Sequence, residues 1–380
     1  MWWQGSFARI LYPKAKLDPE HIAYLLERIG SVFSVRSFFM YWLDSLSGSQ
    51  KRRIPVVIVE RTGLLKNGPG ELSLIRTDRD EICNQVRIVY AVREDSRLPV
   101  LLRVEPDNSY AKSLVTEAIS ELESCGMKPE YVHLDDRSLT DSVLSELLLG
   151  EVPFVTLCPK ELNAWETAVT AVGDPSDTGS VAVNEDGGLF RHRIDFVAKA
   201  DINHKGLSLH AYVRRDSVRQ DHERLQILDT HKGKRSDAKK VTEELRRAGL
   251  EVWLSSVDLD PKDLIHRCTA TEEVDQLFGL CRDWESLAPV EYESENAARG
   301  RLLLRFIGEV IRNRVEAEVK TIETDLTFRG ILFKARNQKA ELCGSVCTPC
   351  EPSKELKAIY RRLKVKPKSE YPLPPKRTRS

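Results

Sequence analysis

Between Cys268 and Arg282 the sequence CTATEEVDQLFGLCR sets a carboxylate and a cation at helical spacing. At about 100° per residue, a helix here places Thr271, Asp275 and Arg282 on one stripe, with Cys268 beside them. Val274, Phe278 and Cys281 form an adjacent apolar flank that would anchor the helix. Two further acids end strand-like runs: Glu60 closes IPVVIVE and Asp135 closes YVHLD. Three carboxylates supply the oxygen ligands that hard divalent cations prefer.

These residues can meet only if the intervening elements fold in a particular order. Asp18-Pro19-Glu20 predicts an N-cap and first turn for HIAYLLERIG, and a second helical run follows through FFMYWLDSL. From Ile54 the pattern becomes strand-like: IPVVIVE, NQVRIVYAV from Asn84 and LPVLLRV from Leu98, the last two joined by EDSR as an antiparallel hairpin. Leu114, Val115, Ala118, Ile119 and Leu122 then predict an amphipathic helix that leads into YVHLD. Three strands with an antiparallel pair, a helix, and a strand ending in acid follow the order of a ribonuclease-H-like fold. That is an α/β architecture, a mixed sheet with flanking helices, in which the first and fourth strands lie side by side. Glu60 and Asp135 would then share one edge of the sheet, and an acid from a later helix would complete a site for two divalent cations. Two such ions about 4 Å apart activate a water or sugar hydroxyl and stabilise the leaving oxygen of an in-line phosphodiester displacement.

A helix, TDSVLSELLLG, and a strand, VPFVTLC, carry the chain to Pro159. The loop GDPSDTGSVAVNEDGG, strand-like LFRHRIDFVAK and LSLHAYVRR, a charged helix around Ala238 to Ala248 and VWLSS then predict a largely β insertion that interrupts the core. A final helix from Arg299 to Val315 is expected to bury Leu302, Leu303, Phe306, Ile307, Val310 and Ile311, turning Arg301, Arg305 and Arg312 toward DNA or solvent. The expected organisation is a helical opening segment, 1–53; the first part of the core, 54–158; the insertion, 159–257; the helical completion of the core, 258–342; and a basic C-terminal tail, 343–380.

Lys and Arg equal Asp and Glu at 58 each, so net charge alone argues nothing about polyanions, and distribution has to decide. From Lys354 to Ser380 there are ten Lys or Arg against two Glu, on a helix-like KELKAIYRRLK and a Pro-rich end, a composition able to follow a phosphate backbone or to be solvated. The longest early apolar run, SVFSVRSFFMYWL, is short for a bilayer and contains Arg36, and no basic-then-apolar leader precedes it. Eight cysteines without a secretory context predict reduced thiols. Cys343, Cys347 and Cys350 have no nearby His to complete a tetrahedral zinc site. His133, beside Asp135, reads as a packed strand histidine.

Several segments together resemble the insertion-sequence transposases of the DDE type, in the group with a Tyr-Arg-Glu-Lys helix signature and a β-rich insertion. The segments are VVIVERTGL, NQVRIVYAV, VEPDN, HLDDRSLT, VDQLF, SENAARGRLLLRFI and KARNQKAELC, in family order from about Leu11 to Tyr371. The resemblance implies Glu60, Asp135 and Asp275 as catalytic acids and ligands of two Mg²⁺ or Mn²⁺ ions, with Asp136 as the rival second acid. Asp135 is preferred because it lies five residues before Thr140, and Thr62 stands where the family has Thr after its first acid. The helix signature maps onto Cys268, Thr271, Asp275 and Arg282, so all four positions differ in residue type from the family's. Arg282, Thr271, Arg301 and Arg305 are the implied DNA contacts.

The resemblance further implies an element-encoded enzyme that binds double-stranded DNA at element ends and target, cleaves it and transfers a strand. It would work without a membrane, in the cytoplasm and on the nucleoid, as a DNA-induced homodimer. A DNA-binding remnant without catalysis is the alternative, and a phosphatase or structure-specific nuclease on the same fold is a third class. About fifty residues precede Ile54, fewer than in the family, which reads as a truncated copy or a misassigned start.

Overall fold

The computed structural model describes residues 15, 18–47, 53–65, 74–78, 81–106, 114–134, 139–178, 180–184, 193–232, 237–261, 263–264, 294–320 and 327–372. Of these, 47, 60–65, 74–78, 81–87, 105–106, 178, 180–184, 193–195 and 295 are described by backbone alone. The chain divides into two compact units, one of residues 36–293 and one of residues 1–35 with 294–380.

The larger unit is built on strand β1, Ile54–Leu65. Val56, Val57, Ile58 and Val59 are all 0% exposed, so both faces of this strand are covered, as its unbroken apolar run requires of a central strand. On one side β1 pairs antiparallel with β3, Glu81–Arg93, which pairs in turn with β2, Leu74–Asp78, and β4, Pro99–Pro106. On the other side it pairs in parallel with β5, Pro129–Leu134, which pairs in parallel with β6, Phe154–Cys158. The order β4-β3-β1-β5-β6, three antiparallel strands and then two parallel ones, is that of a ribonuclease-H-like mixed sheet. Helices make the parallel crossovers, as parallel pairs demand. Helix α3, Leu114–Ser124, links β4 to β5 and buries the five apolar residues its spacing predicts, and α4, Asp141–Leu149, links β5 to β6.

The segment expected as an insertion adds strands to this same sheet. Strand β10, Leu250–Ser255, pairs antiparallel with β6, and β9, Leu207–Asp216, β8, Arg193–His204, and β7, Ser180–Asn184, continue outward. Tyr131, Val155, Val197, Tyr212, Trp253 and Leu264 form one core cluster spanning the original sheet and its extension. Helix α5, Asn163–Val172, buries Ala164, Trp165 and Ala168, and a short α6, Pro175–Thr178, precedes β7. Helices α7, Ser217–His231, and α8, Ala238–Arg247, lie between β9 and β10.

Charge fastens α7 to the sheet. Arg214, with a side chain 3% exposed, donates to Glu251 at 2.9 Å and lies 3.8 Å from Asp216, which caps α7 through the Val218 and Arg219 N–H groups. Arg219 bridges Glu251 and Glu223. Burial alone would raise the Glu223 carboxyl, but the Gly249 N–H at 2.9 Å, the Arg219 guanidinium and the Lys160 charge hold it below its ordinary value. Gly249 adopts φ +75°, and a Cβ there would meet Gln220 Cβ at 2.6 Å.

The smaller unit packs helix α1, Pro19–Ile29, on helix α9, Glu295–Val319. A Cβ on Gly30 would overlap the backbone of Asn296 and Gly300, and one on Gly300 would overlap that of Leu26, so two glycines set this contact. Glu27 accepts from Ser294, the α9 N-cap, and from Asn296 at 2.9 Å, which lowers its pKa. Leu302, Leu303, Phe306 and Val310 are buried as expected. Ile311 is not: it is 54% exposed, because it lies about 100° beyond Val310 and leaves the buried stripe. Helix α10, Phe328–Arg336, strands β11, Ala340–Cys343, and β12, Val346–Pro349, helix α11, Lys354–Arg362, and β13, Tyr371–Pro372, complete this unit. Helix α2, Val32–Ser47, runs across the boundary between the units.

Gly300→Ala is expected to destabilise the smaller unit by about 1–3 kcal/mol through overpacking. Gly308→Ala, on the same helix with nothing within 4 Å, should instead stabilise by about 0.5–1 kcal/mol. Denaturant midpoints of the two variants check this. For Glu223 the lowered folded pKa makes its stabilisation complete above the ordinary carboxyl value and lost as pH falls through the folded one. Glu223→Gln should therefore lower the melting temperature at pH 7, and the gap to the parent should shrink as acidity approaches pH 3.

Candidate sheet-edge site

Because β1, β5 and β6 are parallel, their C-terminal ends reach the same edge of the sheet. The last described pair of β1 with β5 is Ile58 with Leu134, and Glu60 lies two residues further along β1, opposite Val89 of β3. Asp135 is the next residue after Leu134 in the chain. Asp135 and its rival Asp136 lie outside the described residues, as do Cys268, Thr271, Asp275 and Arg282, and Glu60 is described by backbone alone. The structure thus brings the Glu60 backbone and the end of β5 onto adjacent strands. Among the described residues, no group of three or more His, Cys, Asp or Glu side chains is placed to hold a metal.

The chain leaves this edge through Thr140, whose side chain accepts from the Val143 N–H at 3.2 Å and caps α4. Asp141 follows at the first helical position, where the helix dipole favours a carboxylate. Its carbonyl accepts from Ser145 Oγ at 2.7 Å, and its Oδ2 lies 3.9 Å from Lys205 Nζ. Ser145 Oγ is 3.4 Å from His204 Nε2, and burial lowers the His204 pKa against the opposing charge of Asp141. Sequence reading passed over this cluster because His204 and Lys205 lie about sixty residues from α4. The signal within reach was the Thr-Asp pair at the head of TDSVLSELLLG.

Behind the edge the side chains are fixed by packing. His133 is 0% exposed, with Nδ1 3.7 Å from Glu94 Oε1 and its ring edge-on to Trp253 at 5.4 Å. Tyr131 donates its hydroxyl to the same Glu94. His133 is therefore a packed strand histidine. Cys158, at the end of β6, is buried, and burial together with Asp141 and Glu161 pushes its thiol up to about 12. A thiol held protonated is a poor nucleophile or metal ligand.

Arg301 and Arg305 lie on α9 in the smaller unit, both partly buried. Arg305 Nε is 3.3 Å from Glu309, and Glu309 and Glu316 flank Arg312 at 3.7 and 3.1 Å. This helix face is thus a ladder of alternating charge. Cys125, Cys158, Cys343, Cys347 and Cys350 are free thiols, Cys347 buried and Cys343 exposed. Among the described residues, no helix is long and apolar enough to cross a membrane.

No protein-family model matches the chain, and no curated protein matches it. Among solved structures, the piggyBac transposase in a synaptic complex with hairpin DNA aligns at 12% identity with a TM-score of 0.35, covering 79% of this chain and 60% of that one. The NurA nuclease from Sulfolobus solfataricus aligns at 10% identity with a TM-score of 0.22, covering 81% of this chain and 99% of its own. This chain therefore spans about three fifths of the length of that transposase. Superpositions at these scores carry no argument about activity, and the strand order stands on its own pairing.

Thr140→Ala removes the cap at the point where the chain leaves the edge. It should cost about 0.5–2 kcal/mol, measured by chemical denaturation, with Ser at the same position recovering most of the loss.

Proposed function

We propose that this chain is a DNA-processing enzyme of the DDE transposase type, which binds element-end DNA, cleaves a phosphodiester and transfers the released strand. The observation that carries the proposal is the parallel pairing of β1 with β5, which sets the Glu60 backbone beside the strand whose next residue is Asp135. The ordered sequence segments from VVIVERTGL to KARNQKAELC add support that is independent of the sheet.

In this reading Glu60, Asp135 and Asp275 hold the divalent ions. The donor set fits in kind: all three are carboxylates, the ligand type Mg²⁺ and Mn²⁺ prefer. When bound, the ions supply activation of water or a 3′-hydroxyl and charge stabilisation at phosphorus. Arg282 pairs with a phosphate oxygen, and Thr271, Arg301 and Arg305 contact the backbone of the duplex. Two DNA ends would draw two copies together. A remnant that binds DNA without cutting it is the second reading, motivated by the four signature positions, Cys268, Thr271, Asp275 and Arg282, that differ from the family's residue types.

The test is cleavage of plasmid DNA carrying the sequences that flank this coding region, with Mg²⁺ or Mn²⁺. Nicks at defined end positions are expected, lost on chelation and in Asp135→Asn and Asp275→Asn. Binding without cleavage by a folded sample would establish the remnant, and cleavage that survives in both variants would remove the assigned acids.

A further inference from the structure

Helix α10 presents an outer face of unusual composition. Arg329, Leu332, Phe333 and Arg336 recur at i, i+3, i+4 and i+7, within an arc of about 100°. All four are exposed, Leu332 at 52% and Phe333 at 66%. Neither Arg329 nor Arg336 forms an ion pair with another described residue, although most arginines on the neighbouring helix α9 are engaged in pairs or other contacts. The opposite face fixes the helix: Ile331 packs with Val319 and Ile359, Lys334 pairs with Glu355, and Gln338, just past the C-terminus, accepts from Tyr360 Oη at 2.8 Å. Thr327 caps the N-terminus through the Gly330 N–H at 3.2 Å.

The surroundings of this face identify what it meets. Residues 327–372 carry eleven Lys or Arg against four Glu, in a chain whose total charge is zero. So concentrated a positive charge favours a polyanion and repels a second copy of itself. A helix is about 10–12 Å across with its side chains, and the major groove of B-DNA is about 12 Å wide. Two guanidiniums about two helical turns apart suit the phosphates flanking a groove, and a Phe between them suits thymine methyls on its floor.

We propose that α10 is a duplex-DNA docking helix, with Arg329 and Arg336 on phosphates and Phe333 against base edges. This rests on the reading that the chain acts on DNA, but it concerns binding and does not involve the acids of the sheet edge.

The experiment is fluorescence anisotropy of a labelled duplex with the full chain in chelator, so that no cleavage occurs, across 50–200 mM salt. Each phosphate contact contributes about 0.9 to the slope of log affinity against log salt. Arg329→Ala with Arg336→Ala should therefore lower that slope by about two, making the affinity lost across this salt range about tenfold smaller than the parent's. Phe333→Ala should weaken binding with the slope unchanged. Lys239→Ala with Lys240→Ala removes equal charge from exposed positions of the larger unit and should leave the slope intact. Melting curves of all variants should match the parent. An unaltered slope in the arginine pair, or an equal fall in the lysine pair, would overturn the proposal. So would a change of oligomeric state in Phe333→Asp by light scattering with DNA affinity retained, which would make this face a protein interface. Cleavage with an unaltered arginine slope would sink this inference alone, and salt-dependent binding without cleavage would sink only the catalytic reading.

Discussion

The larger unit depends on the pairing of β1 with its two neighbours. One side is antiparallel to β3 and the other parallel to β5, so β1 is where the sheet changes sense. A side-chain period of two means that a slip of one residue would exchange its faces. Since Val56 through Val59 are buried on both faces, hydrophobic pattern alone would tolerate that slip. What resists it is the shape of the neighbours and the backbone register. The position of Glu60 relative to the end of β5, and with it any chemistry at this edge, follows from that register.

Beyond β6 the apolar core continues through Val197, Tyr212 and Trp253, and what charge holds is helix α7, between β9 and β10. The attachment of α7 relies on Arg214, Asp216, Arg219, Glu223 and Glu251, several of them nearly buried. Taking such charges out of water is costly, and only a mutually satisfied set offsets the cost. Removing one member strands the others, which makes this region intolerant of single changes while adding little net stability. The smaller unit uses yet another device, close backbone approach at Gly30 and Gly300, with Glu27 accepting hydrogen bonds at the head of α9.

Central elements were legible because their signals are local and strong. IPVVIVE, the five apolar residues of α3, and the run TDSVLSELLLG each predict their element without knowledge of the rest. Other elements were missed for physical reasons. Helix α7 buries no residue, so SVRQDHERLQILDTH carries no apolar stripe, and what holds it are charges from β9 and β10. Strands β2, β11 and β12 are four or five residues long, too short for alternation to register. Ile311 was placed in the core because apolar residues at helical spacing look alike, and only the neighbours of α9 define which stripe is covered.

For the site, the sequence by itself determined residue types: an acid after the apolar run of the first strand, another following YVHLD, and a third at helical spacing near Arg282. Those are local properties, set by composition and periodicity. Strand β1, by contrast, does not end at Glu60 but continues to Leu65. Tertiary structure decided that β1 and β5 are adjacent and parallel, that the strands from 180 to 255 lengthen the same sheet, and that Arg214 answers to Glu251. Each of these joins positions through pairing or charge, and pairing across a sheet or between side chains leaves no periodic mark along the chain.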